Sequence, residues 1–322
     1  MRPATVVELA GQHGVSLTPA EVSARYAYAD FNGFIQSYIW VTSFLRRPQD
    51  YALIARRLFE ELAGQNVIYA EVTLSVGVML WREQDVSAIY HHLRAAEEEA
   101  KRDGLRVQWV FDVVRQFGPE KAMEVARLAV RHRDEGVVAF GMGGDELSVP
   151  AEQFREVYDY TRGHGLHSLV HAGEIGGPDE VRRAVELLGA ERIGHGIAAV
   201  RDAALMSLLA ERRIPLEVCP TSNLRTGALS RLRGDAAVTL REHPIAQLLT
   251  SGISVVLSTD DPAMFETTLV EEYEAASRTG LTLHELANIA EDGIEAAFLP
   301  EAERDRMHAR LHETLRAQGL VY

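Results

Sequence analysis

The chain has 322 residues and carries 33 basic against 47 acidic side chains, a formal net charge of −14. The length fits two average domains or one large α/β barrel. The acidic balance argues against nucleic acid and anionic membrane surfaces as partners, because phosphate affinity depends on clustered Lys and Arg. The single cysteine, Cys219, excludes an internal disulfide and suits a reducing, cytoplasmic location. No spanning segment, signal pattern or linker interrupts the sequence, so we expect one soluble domain over residues 1–322.

The first predicted elements are helical. A helix over residues 3–12 is followed by Thr18-Pro19-Ala20-Glu21, a capping-box pattern in which Thr18 accepts a backbone N–H and Glu21 reaches back. Further helices are predicted over 31–45 and 49–62. The aromatic side chains of residues 31–40 are interpreted as core, with a lid over the mouth of a barrel as the alternative.

Seven apolar runs follow, and helical patterns separate them. They cover residues 67–74, 107–113, 137–141, 167–172, 192–195, 215–219 and 253–258, and further helices are predicted over 269–318. Apolar strands that alternate with helices indicate parallel pairing. The predicted fold class is therefore α/β, a (β/α)8 TIM-type barrel with additional C-terminal helices. Since the first helix has no strand before it, the remaining strand is expected to belong before residue 1.

Polar and glycine residues gather where five of these strands end, at 143–146, 171–174, 194–196, 220–223 and 258–262. The C-terminal ends of parallel barrel strands share one face, where active sites lie. His171 offers an imidazole that suits Zn²⁺, and Glu174 a carboxyl that can move protons. Asp260 and Asp261 are adjacent, so their side chains diverge. One can bind a metal while the other binds substrate, and a simple turn is the alternative.

Other polar residues allow a functional and a structural interpretation. His195, between two glycines, can orient a water or stabilise developing charge, with a structural histidine as the alternative. Gly144 and its neighbour Gly143 either expose N–H groups to a ligand or form a turn. Asp145 and Glu146 are expected to serve local structure or hydrogen bonding. The histidines expected to be solvated are His91, His92, His132, His308 and His312, and Cys219 is expected to be a small buried strand residue.

The segments 171–174, 192–196, 219–223 and 258–262 resemble the adenosine deaminase family of the amidohydrolase superfamily, in which they occur in the same order. The resemblance implies a (β/α)8 barrel, one catalytic Zn²⁺ and hydrolytic removal of ammonia from C6 of an aminopurine. It also implies a role for each matching residue. These are zinc ligation by His171 and Asp260, N1 protonation by Glu174, orientation of the attacking hydroxide by His195, N7 binding by Asp261 and N3 binding by the Gly144 N–H.

The sequence departs from the family in one respect. The family places a His-x-His pair of zinc ligands on its first strand, and this sequence contains no His-x-His. We expect that the chain starts too late to include it, with a shortened, catalytically silent relative as the alternative. Catalytic zinc usually has three protein ligands, so His171 and Asp260 alone predict weak or absent zinc binding and low activity. An open barrel also exposes strand edges, which favours lower stability or a homo-oligomer.

Residues 69–78 and 140–146 are similar to the branch that acts on 6-amino-6-deoxyfutalosine, an adenosine-like intermediate of menaquinone synthesis. Adenosine is the second candidate for this purine nucleoside substrate. A bulky 5′ substituent would require a roomy cavity near residues 31–38. A hypothesis from another class is a non-catalytic nucleoside-binding protein that keeps Asp261, Glu174 and Gly144 for recognition.

Overall fold

A computed structural model describes residues 1–28 and 30–320 of the chain. Seven parallel strands form one sheet in which each strand pairs with its neighbours in sequence, β1 to β7 in order. The strands are β1 Tyr69–Leu74, β2 Arg106–Val114, β3 Val137–Gly143, β4 His167–Ala172, β5 Arg192–His195, β6 Leu216–Val218 and β7 Val255–Leu257. The parallel α/β prediction is confirmed, and every predicted run contains a strand.

The sheet curls without closing. Within residues 1–28 and 30–320, β1 and β7 each pair with one neighbour, so that each keeps a free edge. Both strands line the same large cavity, together with residues of the last helices. The additional strand expected before residue 1 stays a prediction.

Helices precede, separate and follow the strands. They are α1 Pro3–Gln12, α2 Pro19–Arg25, α3 Phe31–Thr42, α4 Pro48–Gly64, α5 Val76–Trp81, α6 Val86–Arg102, α7 Gly118–Arg131, α8 Arg155–Gly163, α9 Pro178–Glu186, α10 Ala203–Arg212, α11 Pro220–Arg225, α12 Ala228–Arg233, α13 Ile245–Thr250, α14 Leu269–Ser277, α15 Leu283–Glu295 and α16 Glu301–Ala317. Over the described ranges, none of the helices has the length and apolar content needed to cross a membrane.

Local capping explains where several helices begin. The predicted box before α2 is present, because the Glu21 N–H donates to Thr18 Oγ1 at 3.3 Å and the Thr18 N–H donates to the Glu21 carboxylate at 2.7 Å. The same arrangement, with Thr282 and Glu285, starts α15. The helical pattern predicted over 269–318 is divided into α14, α15 and α16 because such caps, and Pro300 before α16, restart it.

The prediction that His132 is solvated was wrong. His132 is not solvated, since it is 8% exposed and its ring packs 4.9 Å from that of Tyr90. Its Nδ1 lies 2.8 Å from the Glu135 carboxylate. It lies seven residues, or about two turns, after the buried Val125 and is therefore on the buried face of α7. The polar residues next to it in sequence had suggested a solvated position.

A charged cluster lies inside the curled sheet. Arg192 of β5 forms ion pairs with Glu71 of β1 and with Glu217 of β6, the latter at 2.8 Å. Its guanidinium lies 3.8 Å from the centre of the Phe298 ring. Arg192 is 5% exposed, so this cluster connects one edge strand to the interior of the sheet with little solvent screening.

Candidate active site

The C-terminal ends of the strands surround a cavity of about 1280 Å³. The predicted site residues all line it: Gly144, His171, Glu174, His195, Asp260 and Asp261. Gly144 follows β3, His171 and Glu174 lie at the end of β4, His195 ends β5, and the two aspartates follow β7. The fold therefore brings together residues that are spread over positions 144 to 261 of the sequence.

His195 is at the centre of this group. Its Nε2 lies 3.5 Å from Glu174 Oε2 and 3.9 Å from Asp260 Oδ2. Its ring centre is 5.3 Å from that of His171. His195 and Asp260 have φ values of 64° and 54°, a region that non-glycine residues adopt at a cost. Such strain at two strand ends is typical of functional sites, because it directs both side chains towards the cavity.

The short helix α11 holds three of these groups. The Ser222 hydroxyl donates to Asp260 Oδ2 at 2.7 Å, and the Thr226 hydroxyl, just after the helix, lies 2.9 Å from Glu174 Oε1. The Asn223 amide nitrogen lies 3.0 Å from His195 Nδ1. All three polar side chains are buried. The sequence analysis placed residues 220–223 near the site but gave them no role, and it missed Thr226.

Glu146 supports the loop that carries Glu174. Its carboxylate accepts backbone N–H groups from the four consecutive residues 173–176, at 2.6, 2.8, 3.0 and 3.2 Å. The loop begins at Gly173, whose φ is +80° and whose added Cβ would lie 2.6 Å from the Val181 side chain. The predicted hydrogen-bonding role of Glu146 is confirmed.

Replacing Glu146 by Ala leaves four backbone donors without their acceptor. We expect the variant to be about 2–4 kcal/mol less stable, because unsatisfied buried donors retain their desolvation cost. Urea unfolding measures the difference. Glu156→Gln, at an exposed helix position, is the control and should change stability by no more than about 0.5 kcal/mol. Equal stabilities of the two variants would contradict the role assigned to Glu146.

Two residues that line the cavity carry unpartnered polar atoms. Among the described residues, His171 Nδ1 and Asp112 Oδ2 are buried without a hydrogen-bond partner. Gly194, opposite His171 in the strand pairing, makes room for the imidazole, since an added Cβ would lie 3.1 Å from the ring. Burial raises the pKa of Asp112 to about 7. Burial lowers the pKa of His171, but the carboxylates of Asp112, Asp260 and Glu174 outweigh it and the net shift is upward.

Asp261 is a half-buried acid that lines the cavity. Burial and the neighbouring Asp260 charge raise its pKa to about 7. A carboxyl with such a pKa carries a proton in a large fraction of molecules near neutrality, and it can then donate a hydrogen bond.

His243 lies behind this group, outside the cavity. Its Nε2 is 3.2 Å from Asn223 Oδ1, and its Nδ1 has no partner among the described residues. Burial, followed by the nearby charge of Arg233, lowers the pKa of His243 to about 3. The residue is thus neutral in the folded protein.

The shift of His243 predicts a pH-dependent stability. Below its ordinary pKa of about 6.5 the unfolded chain takes up a proton that the folded chain refuses, so stability falls as the pH falls from about 6.5 towards 3. Between pH 7 and pH 5 this residue should cost about 2 kcal/mol. Urea unfolding at both pH values checks this. His243→Gln should show a smaller pH dependence by that amount, and an unchanged dependence would contradict the assignment.

Two groups of side chains could hold a metal ion among the described residues. His195, Cys219 and Asp260 have ligand atoms within 4.8 Å of one another, although burial raises the pKa of the Cys219 thiol and disfavours the thiolate. The second group lies between α15 and α16. There His308 and His312 each contact a carboxylate, of Glu295 and Glu291. These contacts join the two helices, so the prediction that His308 is solvated was wrong.

The aromatic residues of α3 have a divided role. Phe34 is buried and stacks on Phe265 with ring centres 5.0 Å apart, as expected of core. Phe31 and Tyr38 are less deeply packed and line the cavity. The Tyr38 hydroxyl donates to Ser75 Oγ at 3.1 Å. Phe34 lines the cavity as well, so this side of the cavity is largely apolar.

Comparisons with known proteins show the family of this chain. A family model described as adenosine deaminase matches residues 1–314. The aminodeoxyfutalosine deaminase of Streptomyces coelicolor is 40% identical over 312 residues, which are 95% of this chain and 79% of the relative. The adenine deaminase of Agrobacterium fabrum is 35% identical over 314 residues, 96% of this chain and 93% of the relative.

Solved structures show the same fold. An adenine deaminase from Arthrobacter aurescens has a TM-score of 0.90 at 24% identity, covering 98% of this chain and 95% of that one. An amidohydrolase from Burkholderia ambifaria, with bound zinc, has a TM-score of 0.84 at 24% identity, covering 98% and 89%. The match of the family model over nearly the whole chain, with relatives of this identity, leads to one conclusion: the chain belongs to the adenosine deaminase family.

Proposed function

We propose that this chain catalyses the hydrolytic removal of ammonia from C6 of an aminopurine nucleoside. The observation that carries the proposal is the convergence of Glu174, His195 and Asp260 within 3.9 Å contacts in one cavity. In the reaction, water oxygen forms a bond to C6 and the C6–N bond breaks. The amine leaves as ammonia, and a 6-oxopurine remains without any oxidation or reduction.

Glu174 and His195 are the proposed catalytic residues. Glu174 would protonate N1, which withdraws electrons from C6 and makes it open to attack. His195, held by Asn223, would orient the oxygen nucleophile and stabilise the charge that develops on it. Glu174 is buried beside the Thr226 hydroxyl, so the geometry of the acid is fixed before the substrate binds.

Asp261 and Gly144 are the proposed purine contacts. Purine N3 and N7 accept hydrogen bonds, so each needs a donor. The Gly144 N–H would donate to N3. Asp261 would donate to N7 in its protonated form. The side chain of Gln116 lies beside Gly144 and would be 2.4 Å from a Cβ added there, so that any larger residue at 144 displaces it.

Zinc fits the donor types but not their usual number. His171 has an unpartnered buried nitrogen, and Asp260 supplies a carboxylate, as Zn²⁺ prefers. Among the described residues only these two match the family pattern, whereas three protein ligands are usual. Zinc bound there would supply the Lewis acidity that lowers the pKa of a water towards about 7. We therefore propose a weakly held Zn²⁺ and low activity.

The substrate is proposed to be 6-amino-6-deoxyfutalosine, with adenosine as the second candidate. The relative that is 40% identical is named for the first of these activities. The cavity extends from the charged group to Phe31 and Tyr38, which leaves space for a substituent on the ribose. Free adenine, for which the 35% identical relative is named, would fill only the charged end.

Ammonia release tests the proposal. The purified chain, in excess Zn²⁺, is incubated in turn with 6-amino-6-deoxyfutalosine, adenosine and adenine, and Glu174→Gln is the control. We expect release that is highest with the first and abolished in the control. Release from none of the three above the control would contradict it. Calorimetric binding of a nucleoside without release would instead support the non-catalytic nucleoside-binding hypothesis.

A further inference from the structure

We propose that Asn223 and His243 are positioning residues that keep the single proton of neutral His195 on Nε2, the ring nitrogen that faces Glu174 and Asp260. The assignment of the proton stands on contacts alone. Its consequence for deamination rests on the proposed function.

The Asn223 amide lies between two imidazoles, with its nitrogen 3.0 Å from His195 Nδ1 and its oxygen 3.2 Å from His243 Nε2. All three residues are at least 96% buried. Water cannot substitute for either contact, so each imidazole nitrogen must complement the amide atom that it faces.

The two nitrogens of His243 distinguish between the two possible orientations of the Asn223 amide. With the oxygen towards His243, the Nε2 of that residue donates and its Nδ1 is a bare acceptor without a partner. With the amide reversed, Nε2 must accept, and Nδ1 carries a buried N–H without a partner. A buried orphan N–H is rarer than an under-satisfied acceptor. The first orientation is therefore favoured, and His243 selects it.

The orientation of the Asn223 amide determines which nitrogen of His195 carries the proton. An amide nitrogen only donates, so Nδ1 of His195 accepts and its neutral ring carries the proton on Nε2. That N–H points towards Glu174 Oε2 at 3.5 Å and Asp260 Oδ2 at 3.9 Å. His195 in this state donates a hydrogen bond into the cavity and has no lone pair there. It would thus hold and stabilise an oxygen nucleophile rather than take its proton.

Nitrogen NMR of protein labelled with ¹⁵N-histidine tests the proton position directly. The spectra are recorded without substrate at a pH well above the ordinary histidine pKa of about 6.5, and His195→Gln and His243→Gln identify the signals. We expect His195 and His243 to carry their protons on Nε2. In Asn223→Asp, whose carboxylate only accepts, Nδ1 of His195 should gain a proton. Asn32→Asp, which adds the same charge at an exposed position, should leave the His195 signals unchanged.

The His243 variants test the second link. His243→Gln keeps a donor for the Asn223 oxygen, so the His195 proton should stay on Nε2, whereas His243→Leu should give a mixture. In ammonia release, Asn223→Asp should lower kcat about 10²-fold with little change in KM. Thermal unfolding checks that each variant is folded. If His243→Leu does not fold, Asn223→Asp still tests the proposal. A wild-type His195 with its proton on Nδ1, or an Asn223→Asp spectrum like that of wild type, would overturn the proposal. Failure of ammonia release alone would count only against the proposed function.

Discussion

Replacing Glu174 by Gln is expected to lower kcat for ammonia release about 10²–10⁴-fold, the usual contribution of a positioned acid. Glutamine has the same shape and can keep the contact that Glu174 Oε1 makes with Thr226 Oγ1 at 2.9 Å. It cannot transfer a proton to N1. The loss should therefore be in kcat, and the affinity for the 6-oxopurine product, measured by calorimetry, should change little.

Thr226→Val is the matched control for this prediction. It leaves the acid in place but removes a hydroxyl that orients it, so we expect a smaller loss than in Glu174→Gln. If Glu174→Gln retained the wild-type kcat, Glu174 would not be the acid. A similar loss in both variants would mean that the position of the carboxyl, and not its proton, limits the rate.

The largest effect on stability is expected at Arg192. Its replacement by Met leaves Glu71 and Glu217, whose side chains are 9% and 19% exposed, without the guanidinium that pairs with both. Breaking a buried ion pair on one side typically costs about 3–5 kcal/mol, since an uncompensated charge remains in the interior. Met keeps an apolar stem of similar length but removes the guanidinium from both glutamates and from the Phe298 ring.

Urea unfolding of Arg192→Met measures this effect, and Arg182→Met is the control. Arg182 pairs with Asp202 at 2.7 Å, but about a third of each side chain is exposed. Such pairs contribute about 0–1 kcal/mol. Stabilities that fall equally in the two variants would show that the buried cluster has no special importance.

The sheet could be predicted from sequence because its strands are mostly apolar runs that are separated by helices. Each predicted strand is present, and the polar segments do fall at the strand ends, as for His171 and Asp260. Strand-end positions were enough to place the site, because parallel strands share one edge. Polar residues next to apolar strands therefore gave the information about where the site lies.

The supporting contacts could not be predicted in the same way. Thr226 and His243 lie outside the recognised segments, and only the three-dimensional path of the chain brings them to Glu174 and to Asn223. Asp112 is surrounded in sequence by apolar strand residues, and it was given no role in the prediction. The one available signal was a charged residue within an otherwise buried strand, since burying a carboxyl is costly unless it has a function.

The helix α11 gives the site a property that no single residue has. Ser222, Asn223 and Thr226 reach groups that belong to three different strands, β7, β5 and β4. Any shift of this one turn moves the partners of Asp260, His195 and Glu174 together. Double-mutant cycles between these positions should consequently show strong non-additivity. New substrate preferences are then more easily acquired near Phe31 and Tyr38, which also line the cavity, than among the groups that this helix contacts.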